Sequence, residues 1–194
     1  MKRIWFFIAL AVILSGCAST PKNIGNACAI FDQKDGYFNN WEKAAKNAER
    51  KYGIPMPIIM ATMYTESGFQ QNAKPRRTKL FGFLPWKRLS SAHGYSQALE
   101  GTWDQYRRST GNFGASRTQF SDAADFIGWY DRQSVIRNGI NPNDAYNLYL
   151  NYHMGHTAYS RANGQYSAAV RQAALRTDRM ARIYDRQLRN CGRR

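Results

Sequence analysis

The stretch Met56-Pro57-Ile58-Ile59-Met60-Ala61-Thr62-Met63-Tyr64-Thr65 carries no charge, opens among prolines and closes on Glu66-Ser67-Gly68. Pro57 suits the first turn of a helix, where its missing N–H is not needed, and Gly68 lets the chain turn sharply afterwards. A helix over 57–66 is therefore expected. Ile59, Thr62 and Met63 stand seven, four and three positions before Glu66 and share its side of that helix. That side holds most of the apolar groups and is expected to face the core. The fold must then hold a buried helix with one carboxylate at its C-terminal end.

The surrounding sequence supplies more helices. Asn40 to Lys51 has Trp41, Ala44, Ala45 and Ala48 at helical spacing, with Gly53 and Pro55 to stop it. Helical patterns also run over about 96–109, 121–137, 143–154 and 167–190. Ser121 is placed to cap the helix over 121–137, with Ala124, Ile127, Gly128 and Val135 on its inner face. Val170, Ala174, Met180, Ile183 and Leu188 stripe the last helix. No segment sustains a period-two alternation, so no sheet is expected. The predicted fold class is mainly α, in one compact domain.

The first residues read as an export signal. Lys2 and Arg3 precede an apolar run from Ile4 to Leu14 that is too short to span a bilayer. Leu14-Ser15-Gly16-Cys17 resembles a bacterial lipobox, in which cleavage before Cys17 leaves its thiol to carry lipid. The expected layout is a signal peptide over 1–16, a lipidated tether over 17–26 and a single domain over 27–194. In an exported chain the remaining cysteines, Cys28 and Cys191, are expected to form a disulfide rather than a metal site. Losing Lys2 and Arg3 takes the formal charge from +15 to +13. Outside the cytoplasm that excess points to wall peptide carboxylates and anionic lipid, not to nucleic acid.

Lys74 to Arg88 breaks the helical pattern. It holds six basic residues and no acidic one, and Pro75 and Pro85 argue against a helix through it. It is expected as a long loop. Two readings stand side by side: a basic-aromatic lip that touches anionic glycan, lipid or an envelope protein partner, and a flap that packs Phe81, Phe83 and Trp86 on the core.

Glu66 is the candidate for chemistry. Partial burial and the negative end of the helix dipole both favour its protonated form and raise its pKa. A carboxylic acid kept protonated near neutral pH can donate a proton to a glycosidic oxygen.

Glu66-Ser67-Gly68-Phe69, then Ser91-Ala92-His93-Gly94-Tyr95-Ser96-Gln97-Ala98 with Thr102-Trp103, and finally Asn151-Tyr152-His153-Met154-Gly155, resemble the three motifs of the soluble lytic transglycosylase family, in order. The resemblance covers about Pro55 to Tyr159. It implies a lysozyme-like helical domain and cleavage of the β-1,4 bond between N-acetylmuramic acid and N-acetylglucosamine without water, giving 1,6-anhydro ends. It implies Glu66 as the single catalytic acid and base, and Ser67, Ser91, Tyr95, Gln97 and Tyr152 as substrate-binding residues. It implies no cofactor or metal and peptidoglycan glycan strands as the partner, while the lipobox and Ala18 after Cys17 resemble an anchored, periplasm-facing lipoprotein of the outer membrane. Tyr95-Ser96 stands where the family has Leu-Met, His153 stands where it has Asn, and the 31 positions from Glu66 to Gln97 exceed the usual separation.

Other readings compete. Asp104, Asp122, Asp125 and Glu100 are candidate second carboxylates for a hydrolytic lysozyme, since ordinary glycosidases use two. Gly94-Tyr95-Ser96-Gln97-Ala98 is similar to a nucleophile elbow, with Ser96 served by His153 or His156, but an elbow belongs between a strand and a helix. His153, His156 and His93 lack a His-Glu-x-x-His pattern for zinc. From another class, an idle cleft on a wall-binding or assembly lipoprotein would fit the altered residues beside Gln97 and Tyr152.

Overall fold

The computed structural model describes residues 20–32, 40–80 and 84–194. Among them the order is α1 (Ala27–Asp32), α2 (Trp41–Tyr52), α3 (Met56–Ser67), β1 (Arg77–Leu80), β2 (Leu84–Arg88), α4 (Glu100–Thr110), α5 (Phe120–Asn138), α6 (Ala145–Met154), α7 (His156–Arg161) and α8 (Ala168–Asn190). None of these helices is long and apolar enough to cross a membrane. The expected export signal and Cys17 lie outside the described residues.

α3 is the axis. Every residue from Met56 to Met63 is buried, so this helix has no single inner face and is covered on all sides. α2, α5 and α8 pack around it, and α6 lies against α5 and α8. Thr65 and Thr177 join α3 to α8 through a hydroxyl–hydroxyl bond of 2.7 Å. Beneath the end of α3, Trp41 stacks on Phe120 with centroids 4.2 Å apart and meets Tyr95 edge-on at 5.6 Å.

Local signals place most helix ends. Asn40 accepts a hydrogen bond from the Lys43 amide at the start of α2, Asp144 does the same for Asn147 in α6, and Ser167 for Val170 in α8. Four expectations are corrected. α4 begins at Glu100 and not near Ser96, because residues 94–97 form a tight turn closed by a His93–Ala98 bridge. Ser121 does not cap α5; Gln119 occupies that position without a side-chain bond, and Ser121 is exposed. On α8 the buried stripe is Ala174, Thr177, Ala181, Tyr184 and Leu188, while Val170, Met180 and Ile183 are only partly covered. The helix turns this row inward because Thr177 bonds Thr65 and the Tyr184 hydroxyl bonds the Ile24 carbonyl.

The fourth correction is a sheet where none was expected. β1 and β2 pair antiparallel, with Arg77 opposite Arg88 and Leu80 opposite Leu84. Strands this short cannot sustain a visible alternation, and Pro85 is tolerated because both strands of a two-stranded hairpin are edges. Phe81, Phe83 and the Trp86 side chain lie outside the description, so the flap reading of those rings does too.

Cys28 and Cys191 are joined as a disulfide across 163 positions, with Cα atoms 6.7 Å apart. The segment expected as tether is shorter on the surface than in the sequence. Pro21 is buried, Ile24 packs on the core, and the Gln187 side-chain amide donates to the Gly25 carbonyl at 3.0 Å. Apolar Pro21 and Ile24 gain more from that contact than from water.

Candidate active site

α3 carries Glu66 to the floor of a cleft of about 350 Å³. One wall is the 90–102 segment, with Gln97, Leu99 and Thr102. The other comes from Phe126 and Tyr130 of α5 and from Tyr152, His153 and Met154 of α6. Glu66 is the sole carboxyl among the described residues that line it. The side chain reaches the cleft, yet its Oε1 is shielded from solvent and has no hydrogen-bond partner among the described residues. Burial raises its pKa to about 7; a hydrogen bond from Tyr149 and the charge of Arg176 on α8 pull the other way, less strongly. Near neutral pH the carboxyl can therefore both give and take a proton.

The chain leaves Glu66 abruptly. Gly68 and Phe69 both adopt left-handed backbone, at φ 58° and 60°. For a phenylalanine this costs about 1–3 kcal/mol. Its ring is fully buried and lies 6.2 Å from Trp41, a burial that contributes roughly 2–3 kcal/mol and offsets the strain. The turn is held because the ring beyond it is a core residue.

A second turn, 94–97, is fastened against the first. The Ser67 hydroxyl donates to the Tyr95 carbonyl at 2.7 Å, the Tyr152 hydroxyl donates to the Ser96 carbonyl at 2.6 Å, and the Tyr95 amide donates to the Arg117 carbonyl at 3.2 Å. Gln97 sits at φ 49° and donates its side-chain amide to the carbonyls of Ala73 and Gly94, at 2.9 and 2.8 Å. Gly94, at φ 74°, has the Arg117 carbonyl where a Cβ would lie, 2.0 Å away. Only glycine fits there.

Of the residues anticipated for substrate, Gln97 and Tyr152 line the cleft with Glu66. Ser67 does not; it is buried and clamps the two turns together. Tyr95 lies in the core against Trp41 and Phe120 instead of along the cleft. Ser91 is exposed on the rim, where its hydroxyl accepts from the Glu100 amide and tethers the start of α4. The motif spacing singled out the loop that walls the cleft but could not say which of its side chains point inward.

The candidate second carboxylates stand elsewhere. Asp125 accepts from Lys51, Tyr52 and Tyr106; Asp122 accepts from the Ser116 amide; Asp104 pairs with Arg107; Glu100 is exposed. Ser96 is fully buried in a turn, and β2 ends at Arg88 in an antiparallel hairpin instead of leading into it, which is not the setting of an elbow nucleophile. His156 stacks on Tyr130 at 4.3 Å, and burial, then Arg137, push its pKa down to about 4.

Sequence reasoning missed Tyr149, Tyr130 and Arg176. Tyr149 is three residues before Tyr152 on the same helix, a spacing that puts both on one side, and the charge of Glu66 acts on both. That was a usable signal. Tyr130 packs edge-on to Tyr152 at 5.1 Å, and nothing local to α5 announces it.

No curated protein matches the chain. The family model described as the transglycosylase SLT domain matches it over residues 5–191. With a mainly helical fold around one cleft-lining acid, the chain belongs to the transglycosylase SLT domain family and has its lysozyme-like architecture.

Proposed function

We propose that the protein is a peptidoglycan lytic transglycosylase with Glu66 as its only acid and base. The observation that carries this reading is a single cleft carboxyl whose pKa is raised to about 7 with one oxygen left unpaired. Protonated Glu66 donates to the glycosidic oxygen; the C1–O bond breaks and the N-acetylglucosamine side leaves as an alcohol. The resulting carboxylate removes the proton from the muramoyl 6-hydroxyl, whose oxygen closes on C1 as a 1,6-anhydro ring. Glu66 ends protonated, ready for the next cycle. No other carboxyl among the described residues lines the cleft, which favours this over a two-carboxylate hydrolysis. Gln97 and Tyr152 are assigned to hold the sugars, and Tyr149 to position the carboxyl.

The same reading includes export by residues 1–16, lipid on Cys17, and residence in the cell envelope at the outer membrane. Mass spectrometry of purified peptidoglycan digested by the protein tests the chemistry, with Glu66→Gln alongside. Anhydro-ended muropeptides from the parent alone are expected. Reducing ends would make it a lysozyme, and wall binding with no products from either protein would make it an idle binding module.

A further inference from the structure

The six cations of α8 are all arginines, and five of them stand on one line. Arg171, Leu175, Arg179, Arg182, Arg186 and Arg189 follow one another at steps of three or four positions, and all are exposed. That spacing keeps them on one side of a helix, opposite the buried row of Ala174, Thr177, Ala181, Tyr184 and Leu188. The line runs for about 27 Å, at roughly 1.5 Å per residue. Asp178 and Asp185 stand at its edge. They are 22% and 24% exposed, against 76% for Arg182 and 58% for Arg189, which pair with them. The six arginines against two aspartates leave α8 at +4, with its arginines outermost. A helix face that is merely solvated mixes both signs along its length, whereas a basic one reads as a contact with an anionic surface.

A straight ridge meets a plane better than it fills a cleft. Arg179, Arg182, Arg186 and Arg189 also line a shallow depression of about 500 Å³ together with Ile183. The one acid among its described lining residues, Asp185, is taken by Arg189 and Arg194. Guanidinium forks match the oxygens of a phosphodiester two at a time. The root of the N-terminal segment is fastened to the same helix. The Tyr184 hydroxyl donates to the Ile24 carbonyl, and the Gln187 side chain donates to the Gly25 carbonyl at 3.0 Å and accepts from the Ala27 amide at 2.9 Å. The Cys28–Cys191 disulfide locks the end of α8 to that segment. From buried Pro21 back to Cys17 is four positions, and four residues of chain reach at most about 14 Å. A lipid carried on Cys17 therefore brings the bilayer to the side of the domain that α8 borders.

We propose that the outer face of α8 rests on the bilayer surface, with the phosphodiester of an anionic phospholipid headgroup seated among Arg179, Arg182, Arg186 and Arg189. The apolar face of the helix stays in the core, so the contact is electrostatic. The inference rests on the envelope reading with lipid on Cys17, and it adds which face of the domain meets the lipid and what that face binds.

The test uses the full chain carrying Cys17→Ser, which removes the lipid and leaves the electrostatics. It is sedimented with vesicles of phosphatidylcholine containing about 30% phosphatidylglycerol, and with phosphatidylcholine alone, at about 0.1 M salt. Adding Arg179→Gln/Arg182→Gln/Arg186→Gln is expected to weaken binding to the anionic vesicles by about tenfold or more. Adding Lys74→Gln/Arg76→Gln/Lys87→Gln instead, which removes the same charge from the hairpin, should change it by about twofold or less. Neither variant should change the residual binding to phosphatidylcholine alone. Equal loss from both variants would make the attraction one of net charge, and no loss from the α8 variant would leave the face to solvent; either overturns the proposal. So would an α8 variant that loses binding only to purified peptidoglycan, since that would give the face to the wall. The mass of Cys17 in the membrane-bound parent is read separately. A bare thiol there overturns the anchor reading, whereas an acylated one with vesicle binding indifferent to the α8 arginines overturns this proposal alone.

Discussion

Replacing Glu66 with glutamine should stabilise the protein, and by an amount that depends on pH. The carboxyl titrates near 4.5 in an unfolded chain and at about 7 in the fold, chiefly because it is buried. A raised carboxyl pKa means that the folded state binds the proton more tightly than the unfolded state does. Its stability is then complete below about pH 4.5 and declines as pH rises through 7. Once both states are ionised, near pH 8, the penalty is about 3 kcal/mol, from roughly 1.4 kcal/mol per pKa unit. Glutamine has the same shape and no charge to desolvate. In a chain of this size the gain should appear as a rise in melting temperature of about 6–12 °C near pH 8 and close to none near pH 4. Thermal melts of parent and variant, followed by circular dichroism across that range, read the difference directly. Buried Asp131, whose pKa is also raised by burial, is common to both proteins and cancels. A stabilisation that does not change between pH 4 and pH 8 would refute the reasoning, because the desolvated charge would then not be its cause.

Tyr149→Phe removes a hydrogen bond that lowers the pKa of Glu66, so the alkaline limb of the activity–pH profile should move up by about half to one unit; an unmoved limb with a reduced rate would mean that Tyr149 only packs. Gly94→Ala would drive a Cβ to within 2.0 Å of the Arg117 carbonyl and disrupt the turn that seats Gln97, so muropeptide release should fall by about 100-fold or more while far-ultraviolet circular dichroism is retained. Cys28→Ser/Cys191→Ser opens a closure of 163 positions and should lower unfolding stability by about 2–5 kcal/mol in urea titrations.

The site was legible where its signals are local. The apolar run ending in Glu66-Ser67-Gly68 announces a buried helix that stops at an acid, and glycine after a helix is read from backbone sterics alone. Helical spacing placed the starts near Asn40 and Ser167, and the structure shows that each side chain caps its helix. The disulfide was expected from an N-terminus that reads as an export signal and from two cysteines at opposite ends, and the fold joins them. The hairpin was not legible, because four or five residues a strand leave no period to detect. The face of α8 was not legible either, because it depends on a threonine 112 positions away.

What the sequence by itself determined is which residue types meet which backbone demands: a proline-opened apolar helix, a glycine turn after the acid, and six cations with no acid beside them. What only the tertiary structure decided is how those parts act on one another. Tyr95 went to the core and Ser67 became a clamp, although both stand within the motifs that carry the resemblance. Tyr149 and Arg176, from two other helices, tune the acid. The reason is physical: desolvation, a hydrogen bond across 83 positions and a charge on a neighbouring helix are properties of the space around a carboxyl, and that space exists only after the chain has folded.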